Sequence, residues 1–342
     1  MGGLTKHLSY EGLKTCRYFL KFSYIGTHYT GLQRQTRRDE TSVTDWSVQY
    51  QLERAIEKKL KPIYGARLAI SSRTDSGVHA LANSAHVDLT HPYNNTTYKP
   101  SFIISSVNTN LLKNGHDIRL LSVQLVPNGF NARSCAKSRT YLYRLAVLDT
   151  EDKSYHECLD NFLPICELNR CHIIKGPLNI EAINQAMNMF EGEHDFSSFT
   201  TKEGIINNRQ ITSNTIKTIT KFKLNQTKHL YSLTQTETNY PIILFNFEIT
   251  AKSFLYNQIR RMIGCIIDVA LNCFSIEKIE YLLNNPSYKH WNHKMTIAPA
   301  KGLWLMDVHY DQMDLELDES GNSSNQYANS YPNYKEISHF HE

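Results

Sequence analysis

The 342-residue chain contains no uninterrupted run of about 18 apolar residues, so no membrane-spanning helix is expected. It has no C-x-x-C pair. Its seven cysteines stand singly at 16, 135, 158, 166, 171, 265 and 273, an odd number without metal-ligand or redox spacing. That excludes a zinc knuckle and a thioredoxin-like centre, and fits a reducing compartment. His290 and His293 have no cysteine or carboxylate cluster beside them, so they read as surface residues and no metal is expected. Nucleotide-binding motifs are missing too. The first residues carry Lys6, Lys14 and Arg17 against Glu11 but no continuous apolar core, which argues against secretion. Cytoplasmic and mitochondrial residence both stay open. Gly2 is followed by Lys6 where myristoylation needs Ser or Thr.

What is present is an ordinary globular composition, 41% hydrophobic and 20% charged, whose net charge of +4 hides an asymmetry. Residues 313–342 hold six acids (Asp314, Glu316, Asp318, Glu319, Glu336 and Glu342) against Lys335 alone. The remainder keeps 36 basic and 27 acidic residues, a net +9. A basic body with 11% aromatics suits a polyanion, because neutralising phosphates supplies affinity without sequence information. An ordinary solvated lysine-rich surface would look the same on charge alone.

Hydrophobic periodicity predicts the elements. Alternation from Tyr18 to Tyr24 predicts a strand with Tyr18, Leu20, Phe22 and Tyr24 on one face. Val48, Leu52, Ala55, Ile56 and Leu60 form a helical stripe, with Glu53, Glu57, Lys58 and Lys59 outside and Pro62 as the stop. Short strands are expected at Leu68–Ile70 and Ser84–Leu89, longer ones at Tyr141–Leu148, Ile242–Thr250 and Trp304–Tyr310. Helices are expected at Ile180–Phe190 after an Asn179 cap, at Phe254–Leu271, and at Ile276–Asn284 after a Ser275 cap. Several consecutive β segments interleaved with helices argue α+β with extensive antiparallel sheet. Residues 151–177 show no clear period, and 313–342 read as a disordered acidic tail.

The most informative segment is Ser72-Arg73-Thr74-Asp75-Ser76-Gly77-Val78-His79-Ala80. An Arg two residues before an Asp in a Gly-closed loop can hold the carboxylate ionised and aimed. The same pattern also suits a surface ion pair or an Asx turn, and residue types alone leave both open.

This segment closely resembles the Gly-Arg-Thr-Asp-Ala-Gly-Val-His signature of TruA-type pseudouridine synthases, with Ser72 for the first Gly and Ser76 for the Ala. Other matches follow in the family's order. Gly31-Leu32-Gln33-Arg34-Gln35 is similar to its Gly-aromatic-Gln-Arg-Gln turn, with Leu32 for the aromatic. Phe130-Asn131-Ala132-Arg133, then Ala136-Lys137, then Arg139-Thr140-Tyr141-Leu142-Tyr143 resembles the Phe-His-Ala-Arg…Arg-x-Tyr-x-Tyr run, with Asn131 for His. Phe190 to Phe199 matches Phe-x-Gly-x-His-Asp-Phe-x-x-Phe. Phe254 to Gly264 resembles the family's Arg-bearing helix, and Ala298-Pro299-Ala300-Lys301-Gly302-Leu303-Trp304-Leu305 its Ala-Pro-x-x-Gly-Leu-x-Leu run.

The resemblance implies a pseudouridine synthase fold, two subdomains around a central mainly antiparallel sheet flanked by helices. Their expected bounds are 17–127 and 128–312, after an extension at 1–16. It implies isomerisation of uridine in tRNA or tRNA-like RNA, with no cofactor, and Asp75 as the catalytic carboxylate. Arg73 and Arg260 would support it, with Arg261 facing solvent. Tyr141 would stack on the flipped base while Tyr143 packs. Gln33, Arg34, Arg133, Lys137 and Arg139 are the expected RNA-contacting groups, and His79 a loop-packing one. Bacterial members act as homodimers and some eukaryotic ones as monomers, so both states are carried forward. Two other classes compete: a catalytically silent RNA-binding protein on the same scaffold, and a two-carboxylate glycoside hydrolase whose second acid would be Asp195.

Overall fold

The computed structural model describes residues 13–34, 45–93, 95–148, 159–207, 210–211, 214–228 and 242–317. Its first half runs β1 (Thr15–Tyr24), α1 (Val48–Leu60), β2 (Ala69–Ile70), β3 (His79–Thr90), α2 (Pro100–Lys113), β4 (Ile118–Val126) and β5 (Ser138–Leu148). The chain continues through β6 (His172–Lys175), α3 (Ile180–Phe190), β7 (Gly192–Asp195), α4 (Lys202–Ile205), β8 (Ile206–Asn207), β9 (Gln210–Ile211), β10 (Ile216–Thr227) and β11 (Ile242–Ala251). It closes with α5 (Gln258–Ala270), α6 (Glu277–Asn284), β12 (Leu303–His309) and α7 (Gln312–Leu315). No helix among the described residues is long and apolar enough to cross a membrane.

Ten strands form one sheet in the order β4-β1-β3-β12-β5-β11-β10-β7, with β2 added to β3 and β6 to β5. Pairing is antiparallel except for β12 with β3 and β6 with β5. The fold is therefore α+β on a mainly antiparallel sheet, as expected. β12 joins the last part of the chain to the first: Trp304 lies opposite His79, and Leu305 opposite both Ala80 and Tyr141.

The alternation of β1 places Tyr18, Leu20, Phe22 and Tyr24 in the main core. Its other face is not free, because Phe19 packs with Phe130 and Ala132 in a smaller cluster. Helix α1 begins at Ser47, whose hydroxyl accepts from the Tyr50 N–H, and ends at the left-handed Lys61 before Pro62. Glu53 departs from the expected outer face. It is buried, accepting from the Leu68 N–H and the Gln49 amide, and burial pushes its carboxyl up. Asn179 caps α3 through the Ala182 N–H, as its side chain predicts.

Several boundaries differ from the sequence reading: β3 already begins at His79 rather than Ser84, and β5 at Ser138 rather than Tyr141. Helix α5 starts at Gln258, not Phe254, because Asn257 adopts a left-handed conformation (φ 60°) and leaves Phe254–Asn257 as a turn. Helix α6 is capped at Ile276 rather than Ser275. Residues 313–317, expected to be part of a disordered tail, are ordered: α7 carries Leu315 into the Phe19 cluster, and the Leu315 carbonyl accepts from the Gln124 amide. Residues 318–342 lie outside the described residues, as do 151–158 of the stretch 151–177 that shows no clear period.

Candidate active site

Residues 71–78 leave β2 and re-enter the sheet as β3, and each part is tied to a different neighbour. Asn83 accepts from the Ser71 hydroxyl and donates to the Ser72 carbonyl. The Thr74 hydroxyl bonds the Tyr24 phenol at 2.7 Å, and its carbonyl accepts from the Leu32 N–H. Leu32, which stands where the family has an aromatic, is wholly buried behind this loop. A turn closes with the Val78 N–H donating to the Asp75 carbonyl, over Gly77 at a φ of 78° that only glycine adopts without strain.

His79 ends the loop. Its Nδ1 accepts from the Gly26 N–H, so Nε2 carries the proton and donates to the Lys301 carbonyl at 3.2 Å. The ring stacks on Trp304, and burial pushes its pKa down to about 4. A neutral, fully bonded imidazole of this kind anchors the loop, as expected for it.

Asp75 is half-buried. Among the described residues its carboxylate receives no hydrogen bond, and the cation facing it is Arg260, with Nη1 3.9 Å from Oδ2. Burial pushes its carboxyl above the ordinary range, and the Arg260 charge opposes that rise. The guanidinium is fixed independently: Nε donates to the Ala298 carbonyl at 2.7 Å and Nη1 to the Asn257 side chain. Helix α5 approaches residues 296–298 through Gly264, where a Cβ would lie 1.9 Å from the Thr296 carbonyl oxygen. Gly264 thus sets the position of Arg260 one turn earlier on the same helix.

Tyr141 lies close to Asp75 and Tyr24, both of which, after burial, push its phenol up. Its ring meets Phe254 edge-on at 5.3 Å. Tyr143, two residues along the same face, is wholly buried and donates to the Pro299 carbonyl. Asp75, Arg260, Tyr141 and Phe254 therefore converge from β2–β3, α5, β5 and the turn before α5.

The other expected residues scatter. Arg73 is exposed and makes no ion pair with Asp75 among the described residues; Arg260 holds the place expected of it. Gln33 and Arg133 are exposed. Arg34 lies over Tyr50 and within ion-pair range of Asp45 and Glu53. Lys137 pairs with Asp311 at 2.8 Å and reaches Asp314, one of the acids expected in the tail.

Two arginines correct the sequence reading. Arg139, expected on RNA, is 8% exposed, because it shares the inward face of β5 with Tyr141 and Tyr143. Arg261, expected in solvent, is 6% exposed; it donates to the Ser198 and Thr200 carbonyls and lies over Trp291. Helix α5 is covered on nearly all sides, so only Arg260 of the pair faces Asp75. Phe254 and Ala298 belong to the site although no residue-type argument marked them; both lie inside the quoted motifs.

Residues 186–311 match the family described as tRNA pseudouridine synthase. A Xenopus laevis protein named tRNA pseudouridine synthase-like 1 is 35% identical over 301 residues, covering 87% of this chain and 93% of that protein. The human protein of that name is 31% identical over 305 residues, 89% and 93% of the two chains. The tRNA pseudouridine synthase A of Ehrlichia chaffeensis is 32% identical over 295 residues, 86% of this chain and 100% of its own. With that coverage, the chain belongs to the TruA family of tRNA pseudouridine synthases, in its eukaryotic branch.

Proposed function

We propose that this protein is an isomerase that converts specific uridines of tRNA to pseudouridine, with Asp75 as the catalytic carboxylate. The observation that carries the assignment is the half-buried carboxylate of Asp75, which receives no hydrogen bond among the described residues and faces Arg260 at 3.9 Å. Isomerisation breaks the N1–C1′ bond, forms C5–C1′, releases the C5 proton and returns a proton to N1. An ionised Asp75 supplies the electron pair for attack or for proton removal. Arg260 keeps that form accessible against the cost of burial. The target uridine has to leave its stack, and the Tyr141 ring is the flat surface that meets it. Gln33, Arg73 and Arg133 are the exposed groups left to meet RNA, whereas Arg34 and Lys137 already face carboxylates.

Asp195 does not support the hydrolase alternative, because Ser197 occupies its carboxylate through both N–H and hydroxyl. The test is a carbodiimide-based pseudouridine map of tRNA treated with wild type and with Asp75→Ala. Marks present with wild type alone are expected. Marks from both enzymes would remove Asp75 from the chemistry, and marks from neither would favour the silent RNA-binding alternative.

A further inference from the structure

Arg139 sits 8% exposed and has no carboxylate partner among the described residues. A buried cation without a counter-ion is costly unless each of its protons finds an acceptor. Here five N–H groups meet five acceptors. Nε donates to the Ser72 hydroxyl at 3.0 Å, and Nη1 to the carbonyls of Lys252 (2.7 Å) and Ala136 (3.4 Å). Nη2 donates to the carbonyls of Ser71 (3.1 Å) and Arg133 (3.2 Å).

The acceptors belong to three separate stretches. Ser71 and Ser72 begin the loop that carries Asp75. Lys252 follows β11 and leads into Phe254 and α5, the stretch that carries Arg260. Arg133 and Ala136 lie in the turns before β5. One side chain thus joins the segment bearing the carboxylate to the segment bearing its cation. The planar fork matters, because an ammonium offers three donors from one point and cannot span carbonyls on both sides. Ser72 adds an acceptor where the family signature has glycine, so this chain makes a side-chain bond to the guanidinium that the signature residue does not supply.

Resting on the assignment of Asp75 as the catalytic carboxylate, we infer that Arg139 is a positioning residue, which sets the separation of Asp75 and Arg260 by fastening residues 71–72 to residue 252. It does not contact RNA. Such a residue acts on kcat and leaves KM alone, since the substrate never touches it.

The experiment compares wild type, Arg139→Lys and Ser72→Ala on a tRNA that wild type modifies, with KM, kcat and the salt dependence of tRNA binding measured for each. For Arg139→Lys, kcat should fall about 10²-fold, the cost of a roughly 1 Å misplacement, with KM within about twofold of wild type. For Ser72→Ala, which removes one acceptor and leaves the guanidinium in place, kcat should fall about threefold to tenfold with unchanged KM. Circular dichroism checks folding, and if Arg139→Lys does not fold, Ser72→Ala decides. A raised KM at constant kcat, with the salt slope of binding reduced by about one in Arg139→Lys, would make Arg139 an RNA contact and overturn the inference. Wild-type kcat in both variants would overturn it as well. A wild-type enzyme silent on every tRNA would instead overturn the assignment beneath it.

Discussion

Two acids of this protein sit in turns at the ends of short strands, and their surroundings differ in one respect. Asp195, at the end of β7, spends an oxygen on the Ser197 N–H and hydroxyl, beside the packed rings of Phe190, Phe196 and Phe199. Asp75, beyond β2, receives no hydrogen bond among the described residues and faces a guanidinium that is itself held elsewhere. A carboxylate whose lone pairs are used stabilises a turn. One held half-buried with its lone pairs unused costs stability, and that cost is common where chemistry is done.

Replacing each acid by its amide is the sharpest test of that contrast. Asp75→Asn should lower kcat by at least about 10³-fold. It should also melt no lower than wild type. The sign follows from linkage: a carboxyl whose folded pKa lies above its unfolded value favours folding when protonated, and ionised Asp75 loses that advantage as pH rises. A thermal melt at neutral pH that falls well below wild type would contradict the claim that burial dominates at this site.

Next in size, Arg260→Gln should cut kcat about 10- to 100-fold and move the acidic limb of the kcat/KM profile to higher pH. The limb belongs to ionisation of Asp75, and the substitution removes the charge that holds its pKa down. An unmoved limb would mean that Arg260 serves another group. Smaller again, Tyr141→Leu should lose about tenfold in kcat/KM through lost stacking, while Tyr141→Phe stays within about threefold. Equal losses would transfer the role from the ring to the hydroxyl. Asp195→Asn should leave kcat within about twofold and lower stability by about 1 kcal/mol, read by urea denaturation, because the amide still accepts but no longer as an anion.

The neighbouring pairs on β5 and α5 explain how far the sequence could be read. Period-two alternation on β5 assigns Tyr141 and Tyr143 to one face, and the same rule puts Arg139 there. Its burial was therefore legible, although its charge suggested a surface role; five acceptors converging from three stretches were not legible. On α5 the wheel separates Arg260 from Arg261 but cannot say which direction is solvent, because α3, residues 198–200 and residues 295–298 cover the helix from several sides. Glu53 follows the same pattern: its Oε1 accepts from the Leu68 N–H, a partner beyond the helix that the helix pattern does not encode, and from Gln49 one turn earlier on α1.

Local chemistry alone determined much of this protein: the strand and helix periods, the Asn179 cap, the turn over Gly77 and the short motifs that mark the family. These depend on residues within a few positions of one another. The tertiary structure decided which cation faces Asp75, which arginine is buried and which acid is left unbonded. Those outcomes depend on contacts between residues such as Asp75 and Arg260, far apart in the chain and brought together only when α5 packs, through Gly264, against the segment leading into β12.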